Sequence, residues 1–141
     1  LGECQCRSLL YQPVRAREAC EEASVLLENA VADMPQDPRV HGALGLSYAL
    51  LGRKDEAIRE GELAVELWPI SKDALKGPAF VRNLAVIYVL AGEDEAALDQ
   101  IEYVLSIPSW VSVSILRAEP YWDPLRDHPR FQALLEKYDT N

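Results

Sequence analysis

The chain has 141 residues, 49% hydrophobic and 26% charged, a balance that is typical of one globular domain with a buried core. It carries 23 acidic and 14 basic residues, a formal net charge of -9, which argues against nucleic acid or an anionic membrane as a partner. The longest charge-free stretches, Val40–Gly52 and Tyr103–Leu116, are shorter than the about 18 apolar residues that a membrane span needs.

The three cysteines, Cys4, Cys6 and Cys20, are an odd number with irregular spacing. Such a set does not resemble a disulfide framework or a zinc site, so it predicts free thiols in a reducing compartment, with the cytoplasm as the expected location. The chain starts without a methionine or a secretory signal. We therefore expect it to be a processed product or a piece of a longer protein.

Positions of the same character recur along the chain at two displacements. At a displacement of 40 residues, Leu44, Gly45, Tyr48, Gly52 and Ala57 recur as Leu84, Ala85, Tyr88, Gly92 and Ala97. At a displacement of 34 residues, Ala23, Leu27, Ala30 and Pro35 recur as Ala57, Gly61, Ala64 and Pro69. A 34-residue period with this order of small, aromatic and proline positions resembles the tetratricopeptide repeat (TPR), a pair of helices. The displacement of 40 is one period plus six residues, which fall around Lys76-Gly77-Pro78.

This register predicts an all-α solenoid of about three helix pairs in a single domain. The repeats span about residues 4–37, 38–71 and 78–109, and a capping tail covers 110–141. Within the repeats, Asp37 and Pro38 are typical of a helix start, and Gly52 and Gly92 of the left-handed residue after a helix end. In the first repeat the second helix is predicted at Glu18–Met34.

The tail has a different pattern. A short helix is predicted at Ser112–Ala118, followed by a segment whose prolines at 120, 124 and 129 exclude one continuous helix. Pro129 then predicts the first turn of a last helix that extends to about Tyr138, with Phe131 on its apolar stripe. A solenoid must cover the apolar face of its last repeat, and this helix is suited to that task.

The stretch from Trp122 to Phe131, with Ile107-Pro108-Ser109 before it, resembles the end of the C-terminal TPR region of bacterial multidomain regulators. In such proteins the region is attached to serine/threonine kinases, adenylate cyclases or winged-helix regulators. The resemblance covers about residues 18–137 and implies a bacterial TPR region whose catalytic domains, where present, lie elsewhere in the protein.

No pattern in the sequence points to catalysis or to a cofactor. The chain lacks a phosphate-binding glycine loop, a nucleophile elbow and paired zinc-spaced histidines. The acids around Glu60 are interleaved with Arg53, Lys54 and Arg59, which favours a solvated helix face, and His41 is expected to be a packing residue. The predicted protein is therefore not an enzyme.

The predicted function is protein–protein interaction. In a TPR array the first helix of each pair lines a concave groove, and the register predicts groove positions there: Gln12, Arg15, Arg39, Leu46, Arg82, Asn83 and Val86. Arginines beside apolar residues favour a protein or peptide segment with an acidic residue. The alternative is a self-association module, a homo-oligomer whose groove is occupied internally, for example by Trp110 and Tyr121.

Overall fold

The computed structural model describes residues 13–139, with side chains described from Arg17 onward. Within that range the chain forms seven α-helices, one 3-10 helix and no strand. They are α1 (Pro13–Asp33), α2 (Pro38–Leu50), α3 (Lys54–Leu67), α4 (Gly77–Leu90), α5 (Asp94–Leu105), α6 (Val113–Ala118), the 3-10 helix (Pro120–Leu125) and α7 (Pro129–Tyr138). The predicted all-helical class is confirmed for residues 13–139.

The helix ends follow from local sequence. The Asp37 carboxylate accepts the backbone N–H of Arg39 at 2.9 Å, and Pro38 occupies the first turn of α2, as predicted. Gly52 and Gly92 both have φ of 81°, the left-handed conformation that glycine adopts without a steric penalty. At α7 the cap is His128, whose Nδ1 accepts the N–H of Arg130 at 3.2 Å.

The two sequence displacements recur in three-dimensional contacts. Tyr48 Oη donates to Glu28 Oε1 at 2.7 Å, and Tyr88 Oη donates to Glu62 Oε1 at 2.8 Å. The tyrosines are 40 residues apart and their glutamate acceptors 34 apart. Burial and these hydrogen bonds to carboxylates raise the pKa of both phenols to about 12.

The core is built from helices that pack on their sequence neighbours, and α2 also contacts α4. Small residues allow α2 to approach α3 and α4 closely where the helices cross. A Cβ atom added at Gly45 would lie 2.9 Å from Ile87 Cδ1 and 3.0 Å from the Ala57 carbonyl oxygen. Ala57 and Ala97 are fully buried at equivalent positions of α3 and α5. The close crossings that the sequence predicted at these positions are therefore present.

The tail belongs to the core. The 3-10 helix packs on α4 and α7 packs on α5, and their side chains Trp122, Leu125 and Phe131 are buried. Arg130 fixes α7 to α5 through Glu95 (2.8 Å), Asp99 (2.7 Å) and Glu102 (3.0 Å). Hydrogen bonds to Asp99, Glu95 and Glu102 raise the pKa of Arg130.

Near the start of the chain the structure differs from the sequence predictions at the first helix and at Cys20. The helix predicted at Glu18–Met34 is α1, which already begins at Pro13, where the fixed φ of proline suits a first turn. Arg15 therefore lies in α1 rather than on a separate first helix, whereas Gln12 lies outside the described residues. Cys20 is buried and disulfide-bonded, so the prediction of a free thiol is wrong for this cysteine.

Candidate functional site

Two adjacent clefts open where the α1–α2 turn, the end of α3 and the start of α4 meet. The larger, of about 670 Å³, is lined by Met34, Pro35, Gln36, Asp37, Pro38, Arg39, Trp68, Lys76 and Phe80. The smaller, of about 490 Å³, is lined by Arg39, Ala43, Leu46, Leu75, Lys76, Ala79, Phe80 and Asn83. They share Arg39, Lys76 and Phe80, and we call the two together the open groove. Clefts of this size can hold several side chains of a bound segment.

The α3–α4 connection positions one wall of the open groove. The Asp73 carboxylate accepts the backbone N–H groups of Leu75 and Lys76, both at 2.9 Å. These bonds favour the charged form and lower the pKa of Asp73. Gly77 then lies against Ile70, where an added Cβ would meet the Ile70 Cα at 2.7 Å, so only glycine permits this approach. Leu75 and Lys76 are consequently held at the groove edge.

A buried histidine supports the opposite wall. His41 Nδ1 lies 2.5 Å from Glu60 Oε2, and Nε2 lies 2.8 Å from the Pro35 carbonyl oxygen. Burial opposes the charged ring, but the hydrogen bonds to Glu60 and Pro35 outweigh it and raise the pKa of His41. The sequence predicted only packing here, whereas the side chain ties α3 and the α1–α2 turn to α2.

The polar groups of the open groove are mainly hydrogen-bond donors. Arg39 pairs with Asp37 through Nε at 3.1 Å and Nη2 at 2.8 Å, while its side chain is 81% exposed. Hydrogen bonding to Arg39 lowers the pKa of Asp37. Asn83 Oδ1 accepts from Arg82 Nη1 at 3.2 Å, and its amide Nδ2 lies 3.8 Å from the position that a Cβ at Gly42 would take. Lys76 is exposed at the rim.

A neighbouring side of α4, at Arg82, is covered by the tail; we call this part the closed end. Glu119 Oε1 accepts from Arg82 Nη2 at 2.5 Å, and Glu119 Oε2 accepts from Trp122 Nε1 at 2.8 Å. Arg126 Nη2 donates to the Glu119 carbonyl oxygen at 2.8 Å, and the Arg82 guanidinium lies 5.5 Å from the ring centroid of Tyr121. An acidic segment of the chain itself therefore occupies this end.

The structure divides the predicted groove residues into three sets. Arg39, Leu46 and Asn83 line the open groove together. Arg82 is engaged by Glu119 and Val86 is only 1% exposed, so neither lines the open groove, and a partner contact at these residues stays a prediction. The 3-10 helix of the tail packs on α4, which brings Glu119 to Arg82. Gln12 lies outside the described residues, and the structure describes only the backbone of Arg15.

Sequence reasoning missed much of the lining of the open groove, namely Met34, Trp68, Leu75, Lys76, Ala79 and Phe80. Leu75 is 74% exposed, which is unusual for a large apolar residue. A signal was present in the sequence, because Leu75 and Lys76 lie in the six-residue excess over the 34-residue period. An insertion beside a predicted groove is typical of a binding loop.

The described residues offer little to other kinds of site. No group of three or more His, Cys, Asp and Glu side chains in the described part of the chain could hold a metal ion. Among the helices of residues 13–139, none combines the length and apolar character that crossing a membrane requires. No family profile matches the chain, and neither the curated proteins nor the solved structures contain a match.

Proposed function

We propose that the chain is a TPR solenoid of about three helix pairs with a capping tail. Support comes from features that recur at the 34-residue TPR period or at that period plus the six inserted residues: the tyrosine–glutamate hydrogen bonds, the positive-φ glycines and the buried alanines of α3 and α5. The contact between α2 and α4 is also what stacked repeats require, because the first helix of one pair then adjoins the first helix of the next. The resemblance of the tail to bacterial regulator TPR regions belongs to this proposal.

We further propose that the protein is a non-enzymatic interaction module that binds a peptide segment in a concave groove. The observation that carries this proposal is the open groove, an apolar cleft between α2 and α4 with Arg39 and Lys76 on its rim. Exposed apolar surface next to arginine is the composition that interface hot spots favour. In a larger bacterial regulator, such a groove would serve a sensing or adaptor role.

Selection from an unbiased peptide library tests this function. We expect enriched peptides to bind the wild type and to shift the amide NMR signals of groove residues such as Ala43 and Phe80. Ala43→Trp fills the smaller cleft and should abolish binding, whereas Ala96→Trp, on α5 and outside both clefts, is the control. Binding that survives Ala43→Trp and a second blocking variant, Ala79→Trp, would place the site elsewhere.

A second candidate is the self-association module. The observation in its favour is that the closed end is already occupied within the chain, by Glu119 on Arg82. The outer side of α1 also exposes Val25 and Leu26, which another copy could cover. Sedimentation equilibrium distinguishes the candidates, because a stable dimer that Leu26→Glu dissociates would favour self-association.

The cytoplasmic location remains a prediction. Disulfide bonds persist in oxidising compartments and are rare in the cytosol, so the bond at Cys20 argues against the reducing compartment that the cysteine count indicated.

A further inference from the structure

We infer that the segment recognised by the open groove carries a glutamate or aspartate side chain close to an aromatic residue. The inference rests on the proposed function and specifies the chemistry of its ligand. It comes from three observations: the local charge of the groove, the kind of polar groups that face it, and the way the neighbouring closed end takes up an acidic segment of this same chain.

The groove is basic on an acidic protein. The residues that line it include two cations, Arg39 and Lys76, and one anion, Asp37, which gives a formal charge of 2 - 1 = +1. The whole chain has a formal charge of -9. At the edge, Lys72, whose ammonium lies 4.0 Å from the centroid of the Trp68 ring, and Asp73, which accepts from Leu75 and Lys76, leave this balance unchanged. A local surplus of positive charge favours a carboxylate over a neutral or basic ligand group.

The polar groups directed at the groove also match a carboxylate. Asp37 engages Nε and Nη2 of Arg39 and so fixes the guanidinium at the rim, leaving Nη1 as a donor. Asn83 presents its amide Nδ2, because its oxygen accepts from Arg82. Lys76 contributes an ammonium group with three donors and no acceptor. A carboxylate can accept from several such donors at once.

The apolar part of the groove favours an aromatic neighbour. Trp68 and Phe80 line the larger cleft with Met34, whose flexible thioether adapts to rings of different shape. Aromatic residues gain from ring contacts in addition to buried area. A cleft of about 670 Å³ has room for a tryptophan or tyrosine side chain together with adjoining backbone.

The closed end shows the same recognition completed within the chain. There an arginine of α4 pairs with the Glu119 carboxylate, and the aromatic residues Tyr121 and Trp122 follow within three positions. Arg82 and Asn83 are adjacent in α4, so the closed end and the open groove lie on neighbouring sides of the same helix. The recognised group is accordingly a side-chain carboxylate within a segment, as Glu119 is, rather than a chain terminus.

The test uses the full chain and defined peptides. Fluorescein-labelled decapeptides with amidated C-termini carry one glutamate and one tryptophan, separated by zero to four glycine or serine residues. Each has a partner with glutamine in place of glutamate, and a further set has alanine in place of tryptophan. A last set has a free C-terminal carboxylate and no acidic side chain. Binding is followed by fluorescence anisotropy.

We expect at least one glutamate–tryptophan spacing to bind, with an about tenfold weaker Kd for its glutamine partner, as loss of a charge-assisted hydrogen bond predicts. Lys76→Gln combined with Arg39→Gln should remove the preference for glutamate. Lys54→Gln combined with Arg59→Gln removes the same charge from exposed α3 positions outside both clefts and should keep the preference.

Other outcomes overturn the inference in distinguishable ways. Equal affinity for glutamate and glutamine peptides, lost in Ala43→Trp, would refute the acidic ligand and leave groove binding intact. Binding of the free-terminus set alone would refute the side-chain source. Binding of neither these peptides nor any library peptide would refute the groove function itself.

Discussion

The open groove and the closed end share helix α4, and they differ in what covers them. Each has an arginine beside apolar side chains. Arg82 at the closed end is 17% exposed and paired with Glu119 from a segment 37 residues away, whereas Arg39 at the open groove is 81% exposed and paired only with its neighbour Asp37. The same residue type therefore has a structural role at one end and remains accessible at the other.

The difference arises from the reach of the tail. The 3-10 helix contacts α4, and its prolines restrict the chain before it folds, which lowers the entropy lost on docking. Trp122 and Leu125, on the 3-10 helix that packs on α4, are fully buried, so the closed end is part of the core. No described segment covers the open groove in that way. Fewer of the groove positions predicted from the repeat register are therefore accessible than the register alone indicates.

The largest expected effect concerns the closed end. Trp122→Ala should lower the free energy of unfolding by about 3–5 kcal/mol, because Trp122 is 0% exposed and its removal leaves a large cavity. Trp110→Ala is the matched control, since that side chain is 43% exposed and its loss should have little effect. Urea unfolding measures both. A Trp122→Ala variant as stable as Trp110→Ala would show that the tail is not part of the core.

The second prediction compares the two arginines. Arg82→Gln should destabilise by about 1.5–3 kcal/mol, the usual cost of losing hydrogen bonds to a charged group, because Glu119 remains half-buried. Arg39→Gln should leave the unfolding curve unchanged, because that ion pair is exposed. An equal loss of unfolding free energy in the two variants would mean that both arginines have the same structural role.

The third prediction compares two glycines of α2. Gly45→Ala should destabilise by about 1–3 kcal/mol through overpacking, since its Cβ would meet Ile87 at 2.9 Å and backbone at 3.0 Å. Gly42→Ala, toward the open groove, has its nearest neighbour at 3.8 Å and should stabilise by about 0.4–1 kcal/mol through lower unfolded-state entropy. Thermal melting of both variants checks the contrast, which fails if Gly42→Ala is the more damaging change.

The sequence predicted well what local physics determines. Asp37 with Pro38, Gly52 and Gly92 mark helix ends because capping and positive φ depend on a few neighbouring residues. The close crossing at Gly45 was also predictable, because small residues at a fixed period indicate stacked helices. These signals were sufficient to predict the order of the helices from α2 to α5, and Pro129 was sufficient to predict the start of α7.

The candidate site was less predictable because it depends on distant pairings. Arg82 and Glu119 are far apart in sequence, and with 23 acidic residues in the chain no pattern identifies Glu119 as the partner. Lys76 and Leu75 lie in the inserted residues, where the repeat register assigns no position. What could be predicted was Arg39, Leu46 and Asn83, which follow from the register alone.

The fourth prediction is a pH dependence confined to the open-groove side of the molecule, and its expected effect is the smallest because opposing causes partly cancel. Both ring nitrogens of His41 face acceptors, Glu60 Oε2 and the Pro35 carbonyl oxygen, so only the doubly protonated ring satisfies both. Burial lowers the pKa of His41, but the hydrogen bonds to Glu60 and Pro35 raise it by more. The net shift is upward from 6.5.

Because the folded state holds this proton more tightly than the unfolded state, His41 contributes its full stabilisation below about pH 6.5 and loses it as pH rises through the folded pKa. Urea unfolding from pH 5.5 to 8.5 should therefore show a decline that His41→Gln abolishes, with His128 retained in both proteins. Since Pro35 lines the groove, NMR signals of the 34–38 turn should titrate with the same midpoint, while the Trp122 indole signal at the closed end should not. A decline of equal size in His41→Gln would assign the pH dependence to other groups. Titration of the Trp122 indole signal together with the turn would instead show that the open groove and the closed end respond to pH as one unit.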